Sequence, residues 1–264
     1  MLVRLKERQS ELRLIVQSHF RKLAAYDIDE LSELRFGERM RHFDTAVHCA
    51  IYLEDYYFPL EGYTVLVPAC GWGGAAIAFA ATGSKVVACD DLDYHFGLLQ
   101  DFARKNQLDI QTTRANEANI PYPNESFDVV IAIDLVEHSW SVDRFAEETA
   151  RVLKPGGLCV VVTPPRMLSV LRGEPHYARH GLAALPLPLQ LLSTLSPIGM
   201  KYEKPICHQF GTPRSLIRRF ERYGLNGRVV PETYPARCTV TERAVRHIAK
   251  RLFWDSIVLT RSSG

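Results

Sequence analysis

Apolar residues recur along the first two dozen positions at helical spacing. Leu5, Leu12, Val16, His19 and Leu23 are separated by seven, four, three and four residues, which places them on one stripe. Arg4, Lys6, Arg8, Arg13, Arg21 and Lys22 make the rest of that helix basic. Such a stripe packs on its own domain or on a second copy of the chain, and a basic amphipathic helix also suits a membrane surface. A second helical region runs from about Asp29 to Tyr57 and stops before Pro59.

At Thr64 the period changes. Short β-branched runs follow: TVLV (64–67), KVVAC (85–89), DIQTT (109–113), DVVIAI (128–133) and LCVVVT (158–163). Helical stretches near 73–82, 93–106 and 142–153 separate them. Strands without strict polar alternation, set between amphipathic helices, predict an α/β fold with a parallel sheet buried on both faces. The rhythm breaks after Thr163. Residues 164–211 hold Pro164, Pro165, Pro175, Pro186, Pro188, Pro197 and Pro205 around the oily stretch LPLPLQLLSTL. A structureless loop of that length is unusual in a compact domain, so the segment is expected to fold as a cap over a site.

Order resumes at Thr212-Pro213, an N-cap followed by proline at the first helical position, and that helix stops at Gly224. A strand is expected near 225–230. Thr239 and Glu242 have capping-box spacing for a helix to about Leu252, and FWDSIVLT (253–260) closes the sheet. The organisation is then a helical region (1–60), a core (61–163), a cap insertion (164–211) and a segment completing the sheet (212–264).

Composition changes this picture little. The 264 residues are 47% hydrophobic and 23% charged, which suits a globular protein with a full core. A net charge of +2 gives no global case for nucleic acid. No apolar run approaches a membrane span, and charges throughout MLVRLKERQSELRL exclude a secretory signal. The six cysteines form no CxxC and no regular framework, as expected of reduced thiols in a cytoplasmic protein.

The candidate chemistry starts at VLVPACGWGG (65–74). Gly71-Trp72-Gly73 follows a strand and opens a helix, where glycines let a ligand approach the backbone. Asp90 ends the next strand, nineteen residues after Gly71, where an acid can accept both hydroxyls of a ribose. With Ala76, G-W-G-G-A-A satisfies the dinucleotide pattern G-x-G-x-x-A, so the turn alone fits NAD as well as an adenosyl group.

The downstream text separates these. NIPYPNESFDVVIAIDLVEH (119–138) followed by ARVLKPGGLCVVVTPP (150–165) resembles the class I S-adenosylmethionine-dependent methyltransferases, in the branch that includes quinone-biosynthesis and many small-molecule enzymes. The resemblance covers about residues 62–163 together with the late helix and strands. It implies a Rossmann-like, seven-stranded, mostly parallel sheet whose last strand is antiparallel, with S-adenosyl-L-methionine as cofactor. It also implies that Ala69, Gly71 and Gly73 form the turn under the methionine end, that Asp90, followed by Asp91, binds the ribose, and that Asn116 and Glu117 meet the adenine. Asp134 and Leu135 then lie beside the methionine end, with the Glu137-His138 pair opening the next loop. Two positions depart from the family: Val67 stands for the usual acid of the first strand, and Ala69 for a glycine.

Methyl transfer from a sulfonium is largely alignment, although an oxygen nucleophile also needs a base. His138 is the first candidate base or substrate contact, or else a residue that orders its loop. His176 is the second. It lies in GEPHYARHG (173–181), four residues before His180 and close to Glu174 and Tyr177. Zinc catalysis would want a third ligand there, so no metal is expected. Glu137, Trp140, Tyr177 and His180 are candidate substrate contacts, with the aromatic run Tyr56-Tyr57-Phe58 as pocket lining or core. Arg39, Arg41 and His42 precede the core, where they can cover the cofactor carboxylate or form a solvated helix face. Cys207-His208 has no accompanying oxyanion-hole signal.

The expected function is methylation, by slight preference at oxygen, of a partly apolar small molecule by a cytoplasmic protein. The expected chain makes no nucleic-acid contact and no stable membrane insertion, and a homodimer is compatible with it. Two alternatives stay open: an NAD(P)-dependent oxidoreductase, which lacks a catalytic Tyr/Lys signal, and a non-catalytic protein of the same fold.

Overall fold

The computed structural model describes residues 5–24, 32–93, 95–139, 141–163, 213–230 and 256–262. Seven strands form one sheet: β1 (Thr64–Val67), β2 (Lys85–Asp90), β3 (Ile110–Arg114), β4 (Phe127–Ile133), β5 (Leu153–Val162), β6 (Leu225–Val229) and β7 (Ser256–Arg261). Their order is β3-β2-β1-β4-β5-β7-β6. The first five strands pair in parallel, and β7 runs antiparallel to both β5 and β6. This is the mostly parallel seven-stranded architecture expected from the sequence.

Side-chain alternation divides the strands between two cores. Val65 and Val67 of β1, Val86 and Ala88 of β2, and Val129 and Ile131 of β4 join one apolar cluster. It is completed by α1 (Leu5–Ala24), α2 (Ser32–Tyr56), α3 (Gly74–Ala80) and α4 (Phe96–Lys105). Leu66, Cys89, Val130 and Ala132 face the other way, against α5 (Val142–Val152) and α6 (Pro213–Glu221). Burial on both faces is why these strands read as continuous apolar runs. Ser141 caps α5, its Oγ accepting from the Arg144 backbone N–H at 3.2 Å. The expected helix at 239–252 and the cap at 164–211 lie outside the described residues.

One cross-tie fixes the amino-terminal ends of the three central strands. Asp128 on β4 accepts from the Thr64 N–H (2.9 Å) and Oγ1 (2.6 Å) on β1, and from Lys154 Nζ (2.8 Å) on β5. Burial alone raises the Asp128 carboxyl, but these hydrogen bonds outweigh it and hold the group below its ordinary value. Lys154 opens KPGG, the bulge where β5 shifts register: Phe127 pairs Leu153, and the next aligned pair is Val129 with Leu158.

The stripe of α1 packs on its own domain. Val16, Phe20 and Leu23 are buried. Lys6–Asp55 (3.2 Å), Arg13–Asp44 (2.8 Å) and Arg21 over the Phe36 ring (4.4 Å) run in opposite order along the two helices, so α1 and α2 are antiparallel. Among the described residues no helix is long and apolar enough to cross a membrane. The cysteines at 49, 70, 89 and 159 are free thiols and buried.

His19 occupies an apolar place in this packing, its ring 4.4 Å from that of Phe102 on α4. Burial, and then the nearby Lys22 and Lys105, push its pKa down from 6.5 to about 4. The unfolded chain therefore binds a proton between those values that the folded chain refuses. The contribution of His19 to stability is complete above about pH 6.5 and declines as pH falls toward 4. His19→Leu is expected to flatten the stability profile over that window, as measured by urea unfolding at pH 5 and pH 7.5. An unchanged profile would assign the decline to other groups.

Candidate functional site

The strand order reverses between β1 and β4, and in such sheets the crevice at the carboxyl ends of the two strands is the place for a ligand. Beyond β1 the backbone turns through three left-handed residues: Ala69 (φ 51°), Gly71 (φ 50°) and Gly73 (φ 83°). Gly73 has no room for a side chain, since a Cβ there would stand 2.5 Å from Leu99 Cδ1. At Gly71 no atom lies within 4 Å of the Cβ position, so the backbone faces open space that a ligand can fill. Ala69 adopts the same conformation with a methyl group, at a cost of about 1–2 kcal/mol.

Asp90 holds this turn. Its Oδ2 accepts from the Gly71 N–H at 2.8 Å and its Oδ1 from the Leu92 N–H at 3.1 Å, with the residue only 5% exposed. A carboxylate has about four acceptor sites, so two backbone bonds leave capacity for a pair of ribose hydroxyls. Asp91 is exposed, and its carbonyl accepts from Arg114 Nε at 3.2 Å. Past β3, Asn116 closes a local turn by accepting the Ala118 N–H on its Oδ1 at 3.0 Å. Glu117 accepts from Ser139 Oγ at 2.8 Å, which joins this loop to the one after β4.

The loop after β4 carries the remaining described candidates. Asp134 has a left-handed backbone (φ 48°). Its carboxylate receives His42 Nε2 at 2.8 Å, with Arg41 Nη2 at 3.8 Å. Leu135 is buried, and its carbonyl accepts from the backbone N–H groups of His138 (2.9 Å) and Ser139 (3.0 Å). Glu137 is 2% exposed and accepts from Thr163 Oγ1 at 2.9 Å, so its carboxylate braces the ends of β4 and β5. The His138 side chain is half-buried. Trp140, His176, Tyr177 and His180 lie outside the described residues.

Helix α2 enters the site more deeply than its sequence indicates. Arg39 is 4% exposed, with its guanidinium 3.5 Å from the centre of the Trp72 ring. Trp72 in turn lies against His95, at the start of α4. A Cβ on Gly74 would come 3.2 Å from the Phe43 backbone nitrogen, so α2 and α3 meet at their backbones. Neither Trp72 nor His95 was anticipated as part of the site. The available signal was a tryptophan set between two glycines, where a small residue would suffice for the turn.

The chemistry of these donors fits a nucleoside with a zwitterionic tail. Asp90 can hold the ribose, the Ala69–Gly73 turn can receive the tail, and Arg41 beside Asp134 offers both signs of charge near it. Among the described residues no group of three His, Cys, Asp or Glu side chains is placed to hold a metal ion.

Comparison with known proteins gives the same answer. A family model described as a methyltransferase domain matches residues 66–161. A ubiquinone biosynthesis O-methyltransferase from Rhizobium etli is 30% identical over 176 residues, covering 60% of this chain and 71% of that protein. The chain belongs to the class I S-adenosylmethionine-dependent methyltransferases. A protein of the same name from Agrobacterium fabrum is 33% identical over 110 residues, although that match spans only 44% of its length and 42% of this chain. The crystal structure of an S-adenosylmethionine-dependent methyltransferase from Mesorhizobium loti shares the fold: the TM-score is 0.56 at 17% identity, over 80% of this chain and 96% of that one. Membership settles the cofactor as S-adenosyl-L-methionine, where the glycine turn alone fitted a nicotinamide dinucleotide equally.

Two substitutions test the turn. Asp90→Asn removes a charged acceptor and is expected to weaken S-adenosylhomocysteine binding about tenfold or more by calorimetry. Unchanged affinity would remove Asp90 from the cofactor site. Ala69→Gly relieves the left-handed alanine but loosens the unfolded chain, for a net gain of about 0.5–1 kcal/mol. The melting temperature should then rise by about 2 °C, and a fall would contradict the strain.

Proposed function

We propose that this methyltransferase acts on a hydroxyl oxygen of a partly apolar small molecule. The observation that carries the reading is the similarity to relatives named for O-methylation in ubiquinone biosynthesis. The leucine- and proline-rich composition of residues 164–211 agrees with an apolar acceptor held beneath a cap. S-adenosylmethionine, when bound, supplies a methyl group already activated on a sulfonium.

The chain then has little covalent work to do, and its contribution is placement, desolvation and handling of one proton. Asp90 and the Ala69–Gly73 turn hold ribose and methionine, while Asn116 and Glu117 border the adenine. Asp91 and Leu135 flank the same crevice. Glu137, tied to Thr163 at 2.9 Å, keeps the post-β4 loop in place beside it. His138 and His176 are proposed to contact the acceptor or take its proton, and Trp140, Tyr177 and His180 to line the acceptor pocket.

The test is incubation with labelled S-adenosylmethionine and a panel of dihydroxybenzoates, hydroquinones and amines of matched size. Mass spectrometry is expected to find label and one added CH₂ on hydroxyl oxygens of the more apolar members. Label confined to nitrogen or carbon would overturn the oxygen assignment.

A further inference from the structure

The His42–Asp134 pair joins two elements at the mouth of the crevice. His42 sits on α2 one helical turn beyond Arg39, which stacks on the glycine turn after β1. Its neighbour Phe43 touches Gly74 at the start of α3. Asp134 ends β4 on the other side. The pair therefore ties α2 to the end of β4, beside the crevice.

The geometry is that of an oriented imidazole. His42 Nε2 lies 2.8 Å from Asp134 Oδ2, within reach of an N–H···O contact. Among the described residues no hydrogen bond occupies His42 Nδ1. The His42 side chain is 39% exposed and the Asp134 side chain 15%, so the carboxylate lies inside and the imidazole reaches outward. A carboxylate on one ring nitrogen fixes the tautomer, leaves a lone pair on the other, and stabilises the imidazolium that forms when that lone pair takes a proton. Asp134 makes this contact from a left-handed backbone. Such strain in a non-glycine residue is a feature of functional sites.

Arg41 approaches Asp134 from the same helix. Arg39 faces Trp72, and the Arg13–Asp44 ion pair lies on the α1 side of α2. Helix α3 carries no titratable side chain, and the loop after β4 adds His138 and the buried Glu137.

We propose that His42 is the general base for the acceptor hydroxyl, which leaves His138 and His176 as contacts to the acceptor, with Asp134 as the positioning residue of His42. This rests on the hydroxyl-acceptor reading given above. The acceptor O–H proton passes to His42 Nδ1 as the oxygen bonds to the methyl carbon. The carbon–sulfur bond breaks with its electron pair kept on sulfur, which leaves a neutral thioether. The imidazolium, paired with Asp134, returns its proton to water as the methylated product leaves.

The test uses His42→Gln, which keeps a donor for Asp134, on two probes: catechol, and nitrocatechol, whose hydroxyl is largely ionised at neutral pH. Calorimetric affinity for S-adenosylhomocysteine is the readout independent of turnover. His42→Gln is expected to bind S-adenosylhomocysteine within about threefold of wild type and to lose about 10²-fold in kcat on catechol, but less than about tenfold on nitrocatechol. Asp134→Asn should show the same split between acceptors at smaller size. Equal losses on both acceptors, a loss of cofactor affinity matching the loss of rate, or an undiminished rate on catechol would overturn the assignment. A wild-type protein that binds S-adenosylhomocysteine but places label only on nitrogen or carbon across the panel above overturns the hydroxyl-acceptor reading, and the base with it.

Discussion

The site depends on one hydrogen bond: the Gly71 N–H to the Asp90 carboxylate, at 2.8 Å. A carboxylate this deeply buried at the end of a strand requires donors, and leaving it unpaired would cost several kcal/mol. The backbone of the neighbouring turn supplies one donor and Leu92 the other. The turn after β1 is thereby locked to the end of β2. It can then pass through three left-handed residues and start α3 against Leu99 and Phe43 without collapsing into the crevice. The same carboxylate stands at the carboxyl end of β2, beside the crevice whose turn it holds.

At the opposite end of the sheet Asp128 does a comparable job with no access to the ligand. It binds Thr64 and Lys154 across β1, β4 and β5. The central strands are cross-tied at their amino ends and free to diverge into loops at their carboxyl ends. The result is a rigid base beneath an open crevice, the arrangement that lets loops carry function. Helix α2 closes the crevice from the side through two contacts one turn apart, Arg39 on Trp72 and His42 on Asp134.

The strands were legible because both faces of the sheet are buried, and burial writes itself as runs such as DVVIAI. The place of Asp90 at the end of β2, next to the glycine turn, was legible because that spacing follows from the geometry of a βαβ unit. The contacts of α2 were not. A buried arginine and an exposed one look the same in sequence, and only the packing of α2 against Gly74 and Trp72 separates the two readings of Arg39. The bond of Glu137 to Thr163 was not legible either, being a long-range event that no local pattern encodes. The period of α1 gave its buried face, but not that His19 lies against Phe102 on α4.

The position of Val67 follows from the same geometry. Val67 is buried within the apolar cluster on the α2–α3 face of the sheet, so a carboxylate there would need donors which a core of valines, alanines and phenylalanines does not offer. The neighbouring strand carries the acid instead. Asp134 lies at the end of β4, partly exposed, with His42 and Arg41 beside it. The apolar first strand and the acid beyond β4 thus put the negative charge of the crevice next to α2, where His42 and Arg41 meet it.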